Sequence, residues 1–108
     1  IDSFTLSVES FFKQGGKGLN ITVPFKLDAF NFAEYKNERA DFAGAANTLI
    51  MGKDGKVTCD NTDGVGIVRD IEKNQGQSLK GKKVLILGAG GAVQGVLQPI
   101  LKCLPKFV

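Results

Sequence analysis

Two residues of this sequence, Lys26 and Asp63, fall where a helix should begin, and between them they could move and hold a proton. Lys26 closes the segment Gly18-Leu19-Asn20-Ile21-Thr22-Val23-Pro24-Phe25-Lys26. There Leu19, Ile21 and Val23 alternate with Asn20 and Thr22, so a strand over 18–23 puts apolar side chains on one face and hydrogen-bonding ones on the other, like the wall of a site. Pro24 should stop that strand and suits the first turn of a helix, which puts Lys26 in the same turn. A cation at that end is unfavourable by roughly 0.3–1 kcal/mol, which favours its deprotonated form. The plain alternative is a surface lysine lying along a short helix. Asp63 follows Asn61 and Thr62, either of which can cap a helix, and a carboxylate in a first turn is stabilised by the dipole whatever else it does. Set beside Lys26, it could also fix the ammonium.

A second set of residues suits a phosphate. Lys83-Val84-Leu85-Ile86-Leu87 is an apolar run fit for a parallel strand buried on both faces, and Gly88-Ala89-Gly90-Gly91-Ala92 follows it directly. Glycines between a strand and a helix allow a tight turn and close approach to a pyrophosphate, with the helix dipole facing the anion. The third small position of that fingerprint is Val93, which predicts looser helix–strand packing, although Gly95 lies close by. If a nicotinamide binds, a hydride leaving a secondary alcohol requires the hydroxyl proton to leave too, and the site needs a base such as Lys26. The residue that would read the adenosine ribose falls about twenty positions beyond the glycines, past Val108, so these residues do not distinguish NAD from NADP.

The elements that must position these groups follow from periodicity. Val8, Phe11 and Phe12 share one face of a helix within 1–12, with Ser3 or Ser7 as cap and Gly15 and Gly16 as its end. Phe25, Ala29, Phe32 and Ala33 give a helix over 24–32, and 34–41 is a polar connection. Asp54-Gly55 is a hairpin turn that pairs 48–51 with 56–59 and returns 60–64 towards Asn47. Val65, Ile67, Val68 and Ile71 make an amphipathic helix ending near Asn74 or Gly76. Residues 74–81 read as a boundary between lobes. A last helix carries Val93, Val96, Leu97, Ile100 and Leu101, is kinked by Pro99 and is ended by Pro105, and 106–108 start a second parallel strand.

The motifs Asn20-Ile21-Thr22-Val23-Pro24-Phe25-Lys26, Gly44-Ala45-Ala46-Asn47-Thr48, Asp60-Asn61-Thr62-Asp63-Gly64 and Gly88-Ala89-Gly90-Gly91-Ala92 resemble the shikimate dehydrogenase family in order and spacing. The resemblance implies NADPH-dependent, reversible reduction of 3-dehydroshikimate to shikimate in the biosynthesis of chorismate and the aromatic amino acids. It implies Lys26 and Asp63 as the catalytic pair and Asn20, Thr22 and Asn47 as ring-hydroxyl ligands. On local grounds Asn47 could equally be a turn residue bonding its own backbone. Asp60 and Asn61 read as loop and cap residues. The resemblance implies NADP as cofactor, held at Gly88, Ala89, Gly90, Gly91 and Ala92. Two rivals are a quinate/shikimate dehydrogenase with broader cofactor choice and a binding module that keeps the glycine loop as architecture only.

The fold class expected is α/β. Residues 1–60 form part of a shikimate-binding catalytic lobe, 61–77 a connecting helix and linker, and 78–108 the truncated start of a Rossmann NADP-binding domain. The chain starts inside what reads as a helix and stops inside what reads as a strand, as a fragment would, so the isolated piece should have little turnover. It should also pair as a homodimer or self-associate through its open sheet edge. A net charge of +3 with scattered lysines argues against nucleic acid as a partner. There is no histidine, and Cys59 and Cys103 stand alone, which argues against a zinc site and reads both as reduced packing residues. The uncharged run 84–101 approaches the length of a membrane span, but glycines and Pro99 interrupt it, so the expectation is no membrane and a cytoplasmic location.

Overall fold

A computed structural model describes residues 3–108; Ile1 and Asp2, with which the expected first lobe opens, lie outside the described residues. The elements are α1 (Phe4–Lys13), β1 (Gly18–Asn20), α2 (Lys26–Phe32), β2 (Tyr35–Lys36), α3 (Glu38–Ala43), β3 (Thr48–Met51), β4 (Val57–Asp60), α4 (Asp63–Arg69) and α5 (Gly91–Lys102). The fold is mixed α/β around an open four-stranded sheet of order β1-β3-β4-β2. The hairpin read from Asp54-Gly55 is present: β3 and β4 are antiparallel, with Leu49 opposite Cys59 and Thr48 opposite Asp60. β1 adds antiparallel to β3, and β2 adds parallel to β4. No helix among the described residues is long and apolar enough to cross a membrane.

The core lies where α1, α2 and α3 cover this sheet. Val8 and Phe12 from α1 meet Leu49, Val57 and Cys59 from the hairpin, and Ala29, Ala33, Ala40 and Ala46 fill the space between. Alanines at those contacts let the helices sit close to the sheet at the density interiors require. Ser3 caps α1, its Oγ accepting from the Leu6 N–H at 3.3 Å. Burial pushes the Cys59 thiol up from its ordinary value, as suits a packing residue.

Several expectations change. The first strand ends at Asn20 rather than Val23: after one more ladder bond, from the Ile21 N–H to Asn47 C=O at 2.7 Å, the Thr22 carbonyl accepts from the Phe25 N–H and closes a turn. Val23 is therefore 77% exposed instead of facing the core. Pro24 lies in that turn, and α2 starts at Lys26 with Phe25 as its N-cap. The polar connection over 34–41 holds β2 and α3, because the Glu34 and Asn37 N–H groups donate to Val57 and Cys59 carbonyls along the free edge of β4. The helix after Asp63 is α-helical only to Arg69 and continues as one π turn, Asp70–Asn74. The run 83–87 is not a strand buried on both faces. Its pairing is a single parallel bridge, Lys83 to Phe107, and with nothing packed over it Leu85 and Leu87 are 83% and 86% exposed.

Candidate active site

Lys26 is the first residue of α2 and Asp63 the first of α4, and their side chains meet: Lys26 Nζ donates to Asp63 Oδ2 at 2.8 Å, though the two are 37 positions apart. The hairpin joins them, since β3 and β4 are in register at Thr48 and Asp60 and the residues flanking that pair, Asn47 and Asn61, lead into the site. The side chains are 18% and 29% exposed, so the pair is mostly desolvated while still open to a ligand.

Asn47 completes the cluster. Its Nδ2 donates to Asp63 Oδ1 at 3.0 Å and to Thr62 Oγ1 at 2.9 Å, and its Oδ1 accepts from the Thr62 N–H at 3.0 Å and the Thr48 hydroxyl at 2.9 Å. It ties the start of β3 to the start of α4 rather than bonding its own backbone, the other local reading of this residue. Asp63 thus accepts from a lysine on one oxygen and from an amide on the other.

Lys26 also lines a cleft of about 420 Å³ with Val23, Pro24, Leu27, Ala45, Gly91 and Ala92, among others. The end of the glycine loop therefore faces the lysine across one space. Gly88, Ala89 and Gly90 lie further along that loop and do not line the cleft. Gly88 has φ +117°, a conformation that favours glycine, and a Cβ at Gly90 or Gly91 would meet only open space. No side chain caps α5 and no acid stands in its first turn, so no side chain competes there with a phosphate for the leading N–H groups. The residues present fit a dinucleotide.

Asn20 and Thr22 run beside Asn47 through the backbone, Asn20 opposite Thr48 in the sheet. Their side chains line a different groove, of about 250 Å³, with Phe4, Ser7, Phe11 and Phe25 among its other walls.

Asp60 and Asn61 are more than loop and cap. Asp60 ends β4, is buried, and takes two bonds from the Arg39 guanidinium, at 2.7 and 2.8 Å. Those bonds hold its carboxyl below the ordinary carboxylate range. Asn61 is fully buried; its Oδ1 accepts from the Asp63 N–H at 3.1 Å, while Thr62, the N-cap position, makes no side-chain cap bond. Arg39 was absent from the sequence reading. The one signal for it was a cation on the buried-helix side of a stretch otherwise read as connection.

Comparison with known proteins agrees with this architecture. A family model for the shikimate dehydrogenase substrate binding domain matches residues 1–49. A relative from Marinobacter nauticus, "Shikimate dehydrogenase (NADP(+))", is 56% identical over all 108 residues, which span 39% of that relative's length. Among solved structures, an Ael1 enzyme from Pseudomonas putida superposes with a TM-score of 0.92 at 50% identity, covering 97% of this chain and 38% of its own. The shikimate dehydrogenase of Aquifex aeolicus superposes at 0.87 with 32% identity, over 98% of this chain and 39% of its own. Along its whole length, in sequence and in fold, this chain is similar to part of these shikimate dehydrogenases, spanning 39% of the length of the Marinobacter relative.

Proposed function

We propose that this chain carries the substrate side of an NADP-dependent dehydrogenase that reversibly reduces 3-dehydroshikimate to shikimate, working in the cytoplasm. The observation that carries the reading is the 2.8 Å contact of Lys26 Nζ with Asp63 Oδ2, where Lys26 lines a cleft whose other wall is the start of α5. Residues 1–60 form the substrate lobe, 61–77 the connection, and 78–108 the start of the nucleotide lobe. The polarity of the cluster and the name of the Marinobacter relative support it.

A nicotinamide dinucleotide, with its pyrophosphate held at Gly88–Ala92, would supply the hydride chemistry. The chain's own residues supply the proton. In reduction the Lys26 ammonium gives its proton to the ketone oxygen as that oxygen becomes a hydroxyl. In oxidation the neutral amine takes it back. Asp63 anchors the ammonium through Oδ2 and accepts from the substrate hydroxyl, and Asn47 keeps Oδ1 from turning away. Asn20 and Thr22, which line the separate groove, hold the ring hydroxyls that extend into it.

The chain spans 39% of the Marinobacter relative, so the test joins this segment to the remainder of that enzyme in place of its own matching residues. Lys26→Met should lower kcat by about 10²–10⁴ with little change in shikimate affinity, as loss of a general acid–base does. Unchanged turnover in Lys26→Met would overturn the reading. The 108 residues alone should show little or no turnover.

A further inference from the structure

We infer that Asn61 is a positioning residue, which sets the spacing between the Asp63 carboxylate and the glycine-loop helix α5; this rests on Lys26 and Asp63 being the catalytic pair. Asn61 is fully buried, and its carboxamide bonds Asp63 and Ala45, two parts of the site. Its Oδ1 accepts from the Asp63 N–H at 3.1 Å, and its Nδ2 donates to the Ala45 carbonyl at 3.1 Å. Ala45 lines the same cleft as Lys26 and Gly91 and leads into Asn47. The Asn61 N–H donates to Asp60 Oδ1 at 2.7 Å, and Arg39 clamps that carboxylate in turn.

The remaining face of the carboxamide is pressed against Gly95 in α5. A Cβ at position 95 would lie 2.8 Å from Asn61 Oδ1 and 3.0 Å from Nδ2. The helix that opens with the glycine loop is thus seated on the residue that holds Asp63. An apolar side chain could fill this space without the desolvation an amide suffers on burial. The amide is better explained by what it orients: it fixes Ala45 and Asp63 in direction, and it leaves room for α5 only where residue 95 has no side chain.

The test uses the same joined enzyme. Asn61→Ala should lower kcat about 10- to 100-fold, the scale of a misplacement near 1 Å, with shikimate KM nearly unchanged. The deuterium isotope effect on kcat, with deuterium at the carbon that gives up hydride, should rise as that step becomes limiting. Gly95→Ala, which keeps every Asn61 bonding group in the chain, should give a similar loss and serves if Asn61→Ala does not fold. Adding Gly95→Ala to Asn61→Ala should cost little more, because the methyl enters space the carboxamide has vacated. Normal kcat and isotope effect in both single variants, or losses that multiply as if independent, would overturn the inference. Lys26→Met separates the two ideas. If it is inactive while the Asn61 and Gly95 variants turn over normally, only the role of Asn61 fails; if it is fully active, the catalytic pair fails.

Discussion

Asn47 makes four hydrogen bonds with a single carboxamide, and truncating it leaves Asp63 Oδ1 without its amide donor. In the joined enzyme Asn47→Ala should weaken shikimate binding by about 1–3 kcal/mol, read by calorimetry, because Asp63 is then free to turn from the ligand. The Arg39–Asp60 pair makes a separate prediction about pH. The Asp60 carboxyl titrates lower in the folded chain than in the unfolded one, so its contribution is complete above the ordinary aspartate value of about 3.9 and is lost as pH falls through the folded value. Arg39→Ala should destabilise the fold by about 1–3 kcal/mol near neutral pH, with the Arg39 side chain's 36% exposure holding it below a fully buried pair, and the deficit should shrink below about pH 4 in denaturant titrations. Lys26 and Asp63 were legible because helix-start signals mark each of them locally. Arg39 and Asp60 were not, since they are 21 positions apart and only the parallel pairing of β2 with β4 brings their segments together.

The hairpin was legible at the scale of elements, because Asp54-Gly55 is a local turn signal and its glycine adopts φ +79°. β2 was not, because two residues carry no periodicity and its pairing is decided by the edge of β4. The glycine-loop strand was over-read for the same reason: an apolar run states a preference, and a ladder needs neighbours. The departure at Val93 suggested loose packing of the last helix. Its close approach to the lobe falls instead at Gly95 and Gly64, where a Cβ on Gly64 would come within 2.5 Å of the Gly95 carbonyl and 2.9 Å of Val96 Cα. Backbone cannot step aside there. Gly64→Ala should therefore destabilise by about 1–3 kcal/mol as an overpacking substitution, visible as a lowered thermal midpoint.

The molecule as a whole is elongated, 47 × 26 × 20 Å, and its radius of gyration of 15.5 Å exceeds the roughly 13 Å of a compact domain this long. The extra length comes with exposed apolar side chains at Leu85, Leu87, Leu104 and Phe107. The isolated chain should therefore self-associate, and Leu85→Lys with Leu87→Lys should shift its sedimentation towards monomer. A monomer at all concentrations before substitution would contradict this.

The seam between Gly64 and Gly95 also has a mechanical meaning. Pro99 sits four residues after Gly95 and has no N–H to give, so the carbonyl pressed against Gly64 lacks its helical donor, and α5 touches its neighbour where its own ladder is broken. That point can act as a fulcrum. From Gly95 to Gly91 the lever arm is about 6 Å at 1.5 Å per residue. A rocking of about 10° would carry the glycine loop about 1 Å towards or away from Lys26, enough on its own to change a reaction rate a hundredfold.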